Sequence, residues 1–204
     1  MNIPASSDVE GAARVAGLVL AAGAGRRFGA PKALVRDPAG VSWVVRTSRL
    51  LTEAGCTPVV VVIGAAADQV RTELTNEPVE VVEATDWTEG MGASLRTGLT
   101  TLSSEVGDAV VVATVDVPGL TADVVRRVAE SAEVGALARA TYHGAPGHPV
   151  VIGRVHWEGV IASARGDEGA RGYLREHDVV LLECSDLADG ADVDTVKDLP
   201  PGHG

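Results

Sequence analysis

The chain has 204 residues, enough to bury a substantial core as one domain. Its formal net charge of −11 argues against a polymeric nucleic acid, which would need a basic face. Hydrophobic residues make up 46 %, but no run of about 18 or more lacks a charged or polar break, so no membrane span or membrane partner is expected.

Residues 1–14 carry Asp8, Glu10 and Arg14 and lack the basic start and apolar run of a signal peptide. They are expected to form a flexible leader ahead of a cytoplasmic domain over residues 15–199. Residues 16–21 are a continuous apolar run that ends in Gly-rich sequence, as in a buried strand. Residues 42–54 place Trp43, Val44, Val45, Leu50 and Leu51 at helical spacing, and Gly55 follows as a stop. A second buried strand is expected over 58–63, a helix over 66–74, and a short edge strand over 79–83. Then come a helix over 94–102, a central strand over 109–115, and a helix to Ser131 capped by Thr121. The last third is less regular, with strands expected over 137–140, 147–152 and 179–183 and a helix over 170–176. The Gly- and Pro-containing end, residues 200–204, is expected to fray. Cys56 and Cys184 are far apart and fit no metal-ligand spacing, so they read as buried small hydrophobes.

Strands and helices in alternation imply an α/β fold, Rossmann-like, with three α/β/α layers around a mostly parallel sheet. Functional groups should gather at the carboxyl ends of its strands. The strongest local signal lies there. In residues 20–32, Gly23 and Gly25 let backbone N–H groups approach phosphate oxygens, while Arg27 and Lys32 supply positive charge. The spacing is neither a Walker loop nor a dinucleotide fingerprint. Asp116 ends the apolar run 109–115 just before Pro118, a position suited to a metal or to a turn. Asp192 and Asp194 lie in a segment that reads either as a capping loop or as a second carboxylate source. Trp87 suits the core or a stacking platform, and His148 a ligand contact or a solvated loop.

Together these segments resemble the MobA-like NTP transferases, and most of all their molybdenum cofactor cytidylyltransferase branch. The Gly-rich run of residues 20–32 resembles the family's nucleotide signature. Residues 87–99, which contain Trp87, Gly90, Met91, Ser94, Leu95 and Arg96, resemble its W-x-x-G-M-x-x-S-L-R-x-G-L segment. Asp116–Pro118, Gly147-His148-Pro149, residues 166–171 and residues 192–198 resemble further elements in the same order.

The resemblance implies a nucleotidyltransferase that uses Mg²⁺. Leu20, Ala21, Ala22, Gly23, Ala24, Gly25, Lys32, Ser94, Leu95 and Arg96 would bind the nucleoside triphosphate. Arg27, Lys32 and Asp116 would act in catalysis, and Asp116 and Asp194 would hold the metal. Gly147, His148, Gly166, Asp167, Gly169 and Arg171 would face a phosphorylated pterin acceptor, with a molybdoenzyme as a client. CTP is expected over GTP, because Ala22 narrows the space for a purine. Phe28, Val117 and Gly92 depart from the common Met, Gln and Ser, and Gly92 is expected to loosen its loop. The alternatives are a guanylyltransferase of the same family, a sugar-1-phosphate nucleotidyltransferase, and a non-catalytic nucleotide-binding chaperone for a molybdoenzyme.

Overall fold

The computed structural model describes residues 13–102 and 107–204. The expected leader therefore lies almost entirely outside the described residues. In chain order the elements are β1 (Val15–Leu20), α1 (Trp43–Glu53), β2 (Val59–Ile63), α2 (Ala67–Glu73), β3 (Glu80–Glu83), α3 (Met91–Thr101) and β4 (Ala109–Thr114). The second half contains α4 (Ala122–Ala129), β5 (Leu137–Tyr142), β6 (Ala145–Gly153), α5 (Trp157–Ser163), α6 (Arg171–Arg175) and β7 (Val180–Glu183).

The seven strands form one sheet in the order β3-β2-β1-β4-β6-β5-β7. β1 pairs in parallel with β2 and β4, β2 with β3, and β5 with β7; β6 alone runs antiparallel, to both β4 and β5. The central strands are Val-rich because both faces are covered. On β1, Val19 joins a core cluster with Trp43 and Leu51 of α1 and Val124 of α4, whereas Leu18 and Leu20 join a cluster with Leu95 of α3 and Val160 of α5. A strand with both faces packed has no polar side to alternate with.

The chain runs outward from β1 through β2 to β3, then crosses back to place β4 on the other side of β1. That reversal opens a crevice at the carboxyl ends of β1 and β4, where an open α/β sheet binds its ligand.

Two expectations differ from the structure. α3 starts at Met91, three residues before the expected helix, because Gly90, with φ 111°, makes the entry turn. The final residues do not fray. Gly204 and Arg36 exchange two backbone hydrogen bonds at 3.0 Å, and Trp43 donates its indole N–H to His203 Nδ1 at 3.0 Å. The apolar flank of Trp43 thus gives the polar tail a partner that composition does not reveal. Among the described residues, no helix is long and apolar enough to cross a membrane.

Candidate active site

The loop after β1 wraps the crevice. Gly25 has φ +60°, and a Cβ there would lie 1.9 Å from the Ala30 carbonyl oxygen. Only glycine fits this left-handed, closely approached position. Gly29 N–H donates to Gly25 O at 2.7 Å, so the turn closes on itself and returns the chain to the short 3-10 segment Lys32–Leu34. Gly23 differs, because a Cβ there would meet nothing within 4 Å. Its missing side chain leaves open space beside a bare backbone in the cavity wall.

Lys32 extends into the crevice and donates to Asp116 Oδ2 at 3.0 Å and to Asp194 Oδ1 at 3.4 Å. Asp116 arrives because β4 ends two residues earlier. Asp194 arrives because Val193, buried in the core, donates its N–H to the Asp116 carbonyl at 2.9 Å and ties the C-terminal segment across the strand end. With Val193 turned inward, Asp192 and Asp194 on either side both line the cavity. Arg27 grips both oxygens of Asp194 at 3.0 and 3.1 Å.

Exposure separates these pairs. The Arg27 and Asp194 side chains are 75 % and 47 % exposed, so their pair contributes only about 0.2–1 kcal/mol and yields readily to a competing anion. Lys32 and Asp116 are 14 % and 25 % exposed, where water screens their attraction less. Burial pushes the Asp116 carboxyl up. The Lys32 ammonium, hydrogen bonds from Thr114 and Lys32, and the nearby His148 together outweigh it and hold Asp116 below the ordinary carboxylate value. Burial lowers the His148 imidazole, with Asp116 opposing.

The cavity measures about 670 Å³, the size class of a small-molecule site. Leu20, Ala22, Gly23, Ala24, Gly25, Arg27, Lys32, Ser94, Asp116, Asp167, Arg171 and Asp194, all singled out from sequence, line it. Other expected site residues do not. Ala21 turns into the opposite core layer because β1 alternates faces. Leu95 is 2 % exposed and packs under the sheet. Arg96 folds back on its own loop, pairing with Asp86 at 2.9 Å and Glu89 at 2.7 Å and donating to the Ala164 carbonyl at 3.0 Å. It braces the loop and does not face the cavity.

Gly147 and His148 lie behind the wall. Gly147 O accepts from Arg139, and His148 O accepts from Tyr142. Gly166 and Gly169 shape a loop: a Cβ on Gly90 would strike Gly166 and Asp167, and one on Gly92 would strike the Arg165 backbone at 2.8 Å. Gly92 therefore fits a tight contact in place of the expected looseness, and a Ser would not fit there.

Trp87 packs against the core cluster that contains Leu95 and Val160, as one of its two expected roles requires, and it also lines the cavity. The sequence pattern does not single out Thr114 or Arg26, although both line the cavity. Arg26 is exposed and, among the described residues, forms no ion pair. Adjacency to Gly25 was the available signal for it.

The sequence profile of the MobA-like NTP transferase domain matches residues 17–180. The chain belongs to the MobA-like NTP transferase family. The matched span carries the Gly-rich loop and Asp116, whereas Asp194 lies beyond it. A curated relative of this MobA-like chain, nicotine blue oxidoreductase of Paenarthrobacter nicotinovorans, is 37 % identical over 195 residues, covering 91 % of this chain and 94 % of the relative. Rv0371c of Mycobacterium tuberculosis, solved as a complex with manganese, is 26 % identical with a TM-score of 0.74, covering 91 % of this chain and 95 % of that one. A nucleotidyl transferase from Methanothermobacter is 22 % identical with a TM-score of 0.79, covering 91 % and 94 %, and shares the fold. Membership of the MobA-like family places the chain among nucleotidyltransferases.

The carboxylates suit a divalent cation. Asp116 and Asp194 both accept from one ammonium and so converge on a common volume with hard oxygen donors. Among the described residues, no group of three His, Cys, Asp or Glu side chains forms a metal cluster. A cation held by these two would take its remaining ligands from phosphate oxygens and water, the pattern typical of Mg²⁺.

Proposed function

We propose that this chain is a Mg²⁺-dependent cytidylyltransferase that moves CMP from CTP onto a phosphorylated pterin acceptor and releases pyrophosphate. The observation that carries the proposal is the Lys32–Asp116–Asp194–Arg27 cluster at the mouth of a bare-backbone glycine loop. The loop N–H groups and Ser94 would hold the nucleotide. Asp116 and Asp194 would hold Mg²⁺, which supplies neutralising charge to the triphosphate. Lys32 and Arg27, now spent on those carboxylates, would turn to phosphate oxygens as charge develops on them. An acceptor phosphate is already an anion near neutral pH. In-line attack on the α-phosphorus therefore needs no protein base, and among the described residues the cavity contains no Ser-His or Cys-His pair. The Asp167–Arg171 side of the cavity would take the acceptor, and a molybdoenzyme would be its client.

The test is pyrophosphate release from CTP and from GTP with Mg²⁺ and the phosphorylated molybdopterin acceptor. Release from CTP at the higher kcat/KM is expected. No release from either nucleotide would refute the proposal.

The relative's name supports a second reading, an oxidoreductase whose substrate binds in the same cavity. Oxidation of NADH or NADPH dependent on nicotine blue, without pyrophosphate release, would establish it instead.

A further inference from the structure

The cavity lining divides by layer. Leu20, Ala22, Trp87 and Met91 line it from the α3 side of the sheet, where all four belong to or pack against the cluster that contains Leu95 and Val160. The charged residues lie among apolar neighbours of the other cluster, on the α1 side: Phe28 beside Arg27, Ala33 beside Lys32, Val115 beside Asp116 and Val193 beside Asp194. One side of the cavity is therefore apolar, and the other holds the cations and carboxylates.

Trp87 is the large group on the apolar side. It is half-buried, whereas Trp43 and Trp157 are buried. Those two donate their indole N–H groups, to His203 and to the Ile152 carbonyl. Among the described residues the Trp87 indole N–H has no acceptor, and the only buried side-chain atoms left unpartnered are on Ser42 and Arg139, so this N–H reaches solvent. The inner side of the indole is seated on three strand ends. A Cβ on Gly64, just past β2, would lie 2.6 Å from Trp87 Cγ and 2.9 Å from the Cβ of Ala22, just past β1. Ala65 N–H donates to Ala22 O at 3.0 Å, and Trp87 N–H to the carbonyl of Ala84, just past β3, at 3.2 Å.

An indole fixed by backbone on its inner side and open to a cavity on its outer side suits a flat ring in offset stacking. A nucleobase gains affinity in this way without base-specific hydrogen bonds, because every base has a π-face. We propose that Trp87 is the platform on which the base of the nucleotide stacks, an assignment that rests on the reading of the cavity as a nucleoside triphosphate site. The phosphates then point from the apolar side toward Lys32 and Arg27. Trp87 supplies affinity, and the choice between bases stays with Ala22 beside it.

The experiment titrates the full chain with CTP in Mg²⁺ and follows the cytosine ring protons by NMR, since stacking on an indole moves them upfield. An upfield shift is expected with the parent, reduced in Trp87→Phe and lost in Trp87→Leu, which keeps an apolar side chain against the core. Calorimetry should find CTP bound about fivefold to a hundredfold more weakly by Trp87→Leu. Inorganic tripolyphosphate, which has no base, should bind that variant as it binds the parent. Equal losses for CTP and tripolyphosphate would overturn the proposal and make Trp87 a brace for the site. CTP bound by the parent without an upfield shift would overturn it too, and would leave the triphosphate reading standing. A pterin carboxylate whose ring protons move upfield, where those of CTP do not, would give the platform to the acceptor and overturn the assignment to the base. CTP that does not bind at all would overturn both readings. Stacked CTP without pyrophosphate release would retire the transfer step and leave the platform in place.

Discussion

Two glycines of one loop, Gly23 and Gly25, should fail in opposite ways. At Gly25 an alanine would adopt φ near +60°, costing about 1–2 kcal/mol, and its methyl would start 1.9 Å from a carbonyl oxygen. The turn must open to relieve that contact. The entropy gained by replacing a glycine returns only about 0.4–1 kcal/mol, so Gly25→Ala should be destabilised by more than about 1 kcal/mol. At Gly23 the methyl meets no protein atom and φ is not in the left-handed region, so Gly23→Ala should be as stable as the parent or gain those same tenths. Its defect should be in binding, because the methyl occupies the space a phosphate would use to reach the backbone. The assay pairs urea unfolding with CTP titration in Mg²⁺. Gly25→Ala should lower the urea midpoint and the affinity together. Gly23→Ala should lose at least about tenfold in affinity with its midpoint unmoved. Parent affinity in Gly23→Ala would refute the use of this loop as a phosphate cradle.

Asp116→Ala should abolish transfer while leaving the fold intact, since a strand-end carboxylate leaves no core cavity; near-parental turnover at saturating Mg²⁺ would remove it from the mechanism. Lys32→Ala should weaken triphosphate binding by about 1.5–3 kcal/mol, measured by calorimetry, and unchanged affinity would exclude the phosphate contact. Ala22→Gly should shift the CTP:GTP ratio of kcat/KM toward GTP by no more than about 1–3 kcal/mol, and a parent that prefers GTP would sink the base assignment. Glu183 is held at about 2, chiefly by Ser185 and also by the Gly144 N–H and Thr141, against an ordinary 4.5. Its folded pKa is depressed, so its stabilisation is present above pH 4.5 and is lost as pH falls from there toward 2. Glu183→Gln should flatten that part of the urea-midpoint profile, and parallel profiles would refute it.

The parallel half of the fold was legible because its strands are buried on both faces, and only such burial lets a strand run as continuous Val, as β2 and β4 do. Gly25, Lys32 and Asp116 were legible as cavity residues because they follow the ends of β1 and β4. The direction of the Arg96 side chain was not, because its partners Asp86 and Glu89 lie on the preceding turn and no helical spacing predicts them. The direction of the Asp192 side chain was not legible for a similar reason. Its orientation follows from Val193 turning inward to bond Asp116, a contact 77 residues away in sequence that no local pattern encodes. The Trp43–His203 contact is longer-range still.

The reversed strand β6 has a consequence for how such an enzyme can diversify. Because it runs against its neighbours, its beginning, where Gly147 and His148 lie, sits at the same edge as the ends of β1 and β4. The cavity wall is thereby drawn from two separate stretches of chain: residues 20–116 supply the glycine loop and the Trp87 side, and residues after 166 supply the opposite bank. Substitutions in the later stretch can reshape one bank only where the two do not touch. Two contacts oblige the stretches to keep a common geometry: Asp194, held by Lys32 and Arg27, and the close packing of Gly90 and Gly92 on residues 165–167.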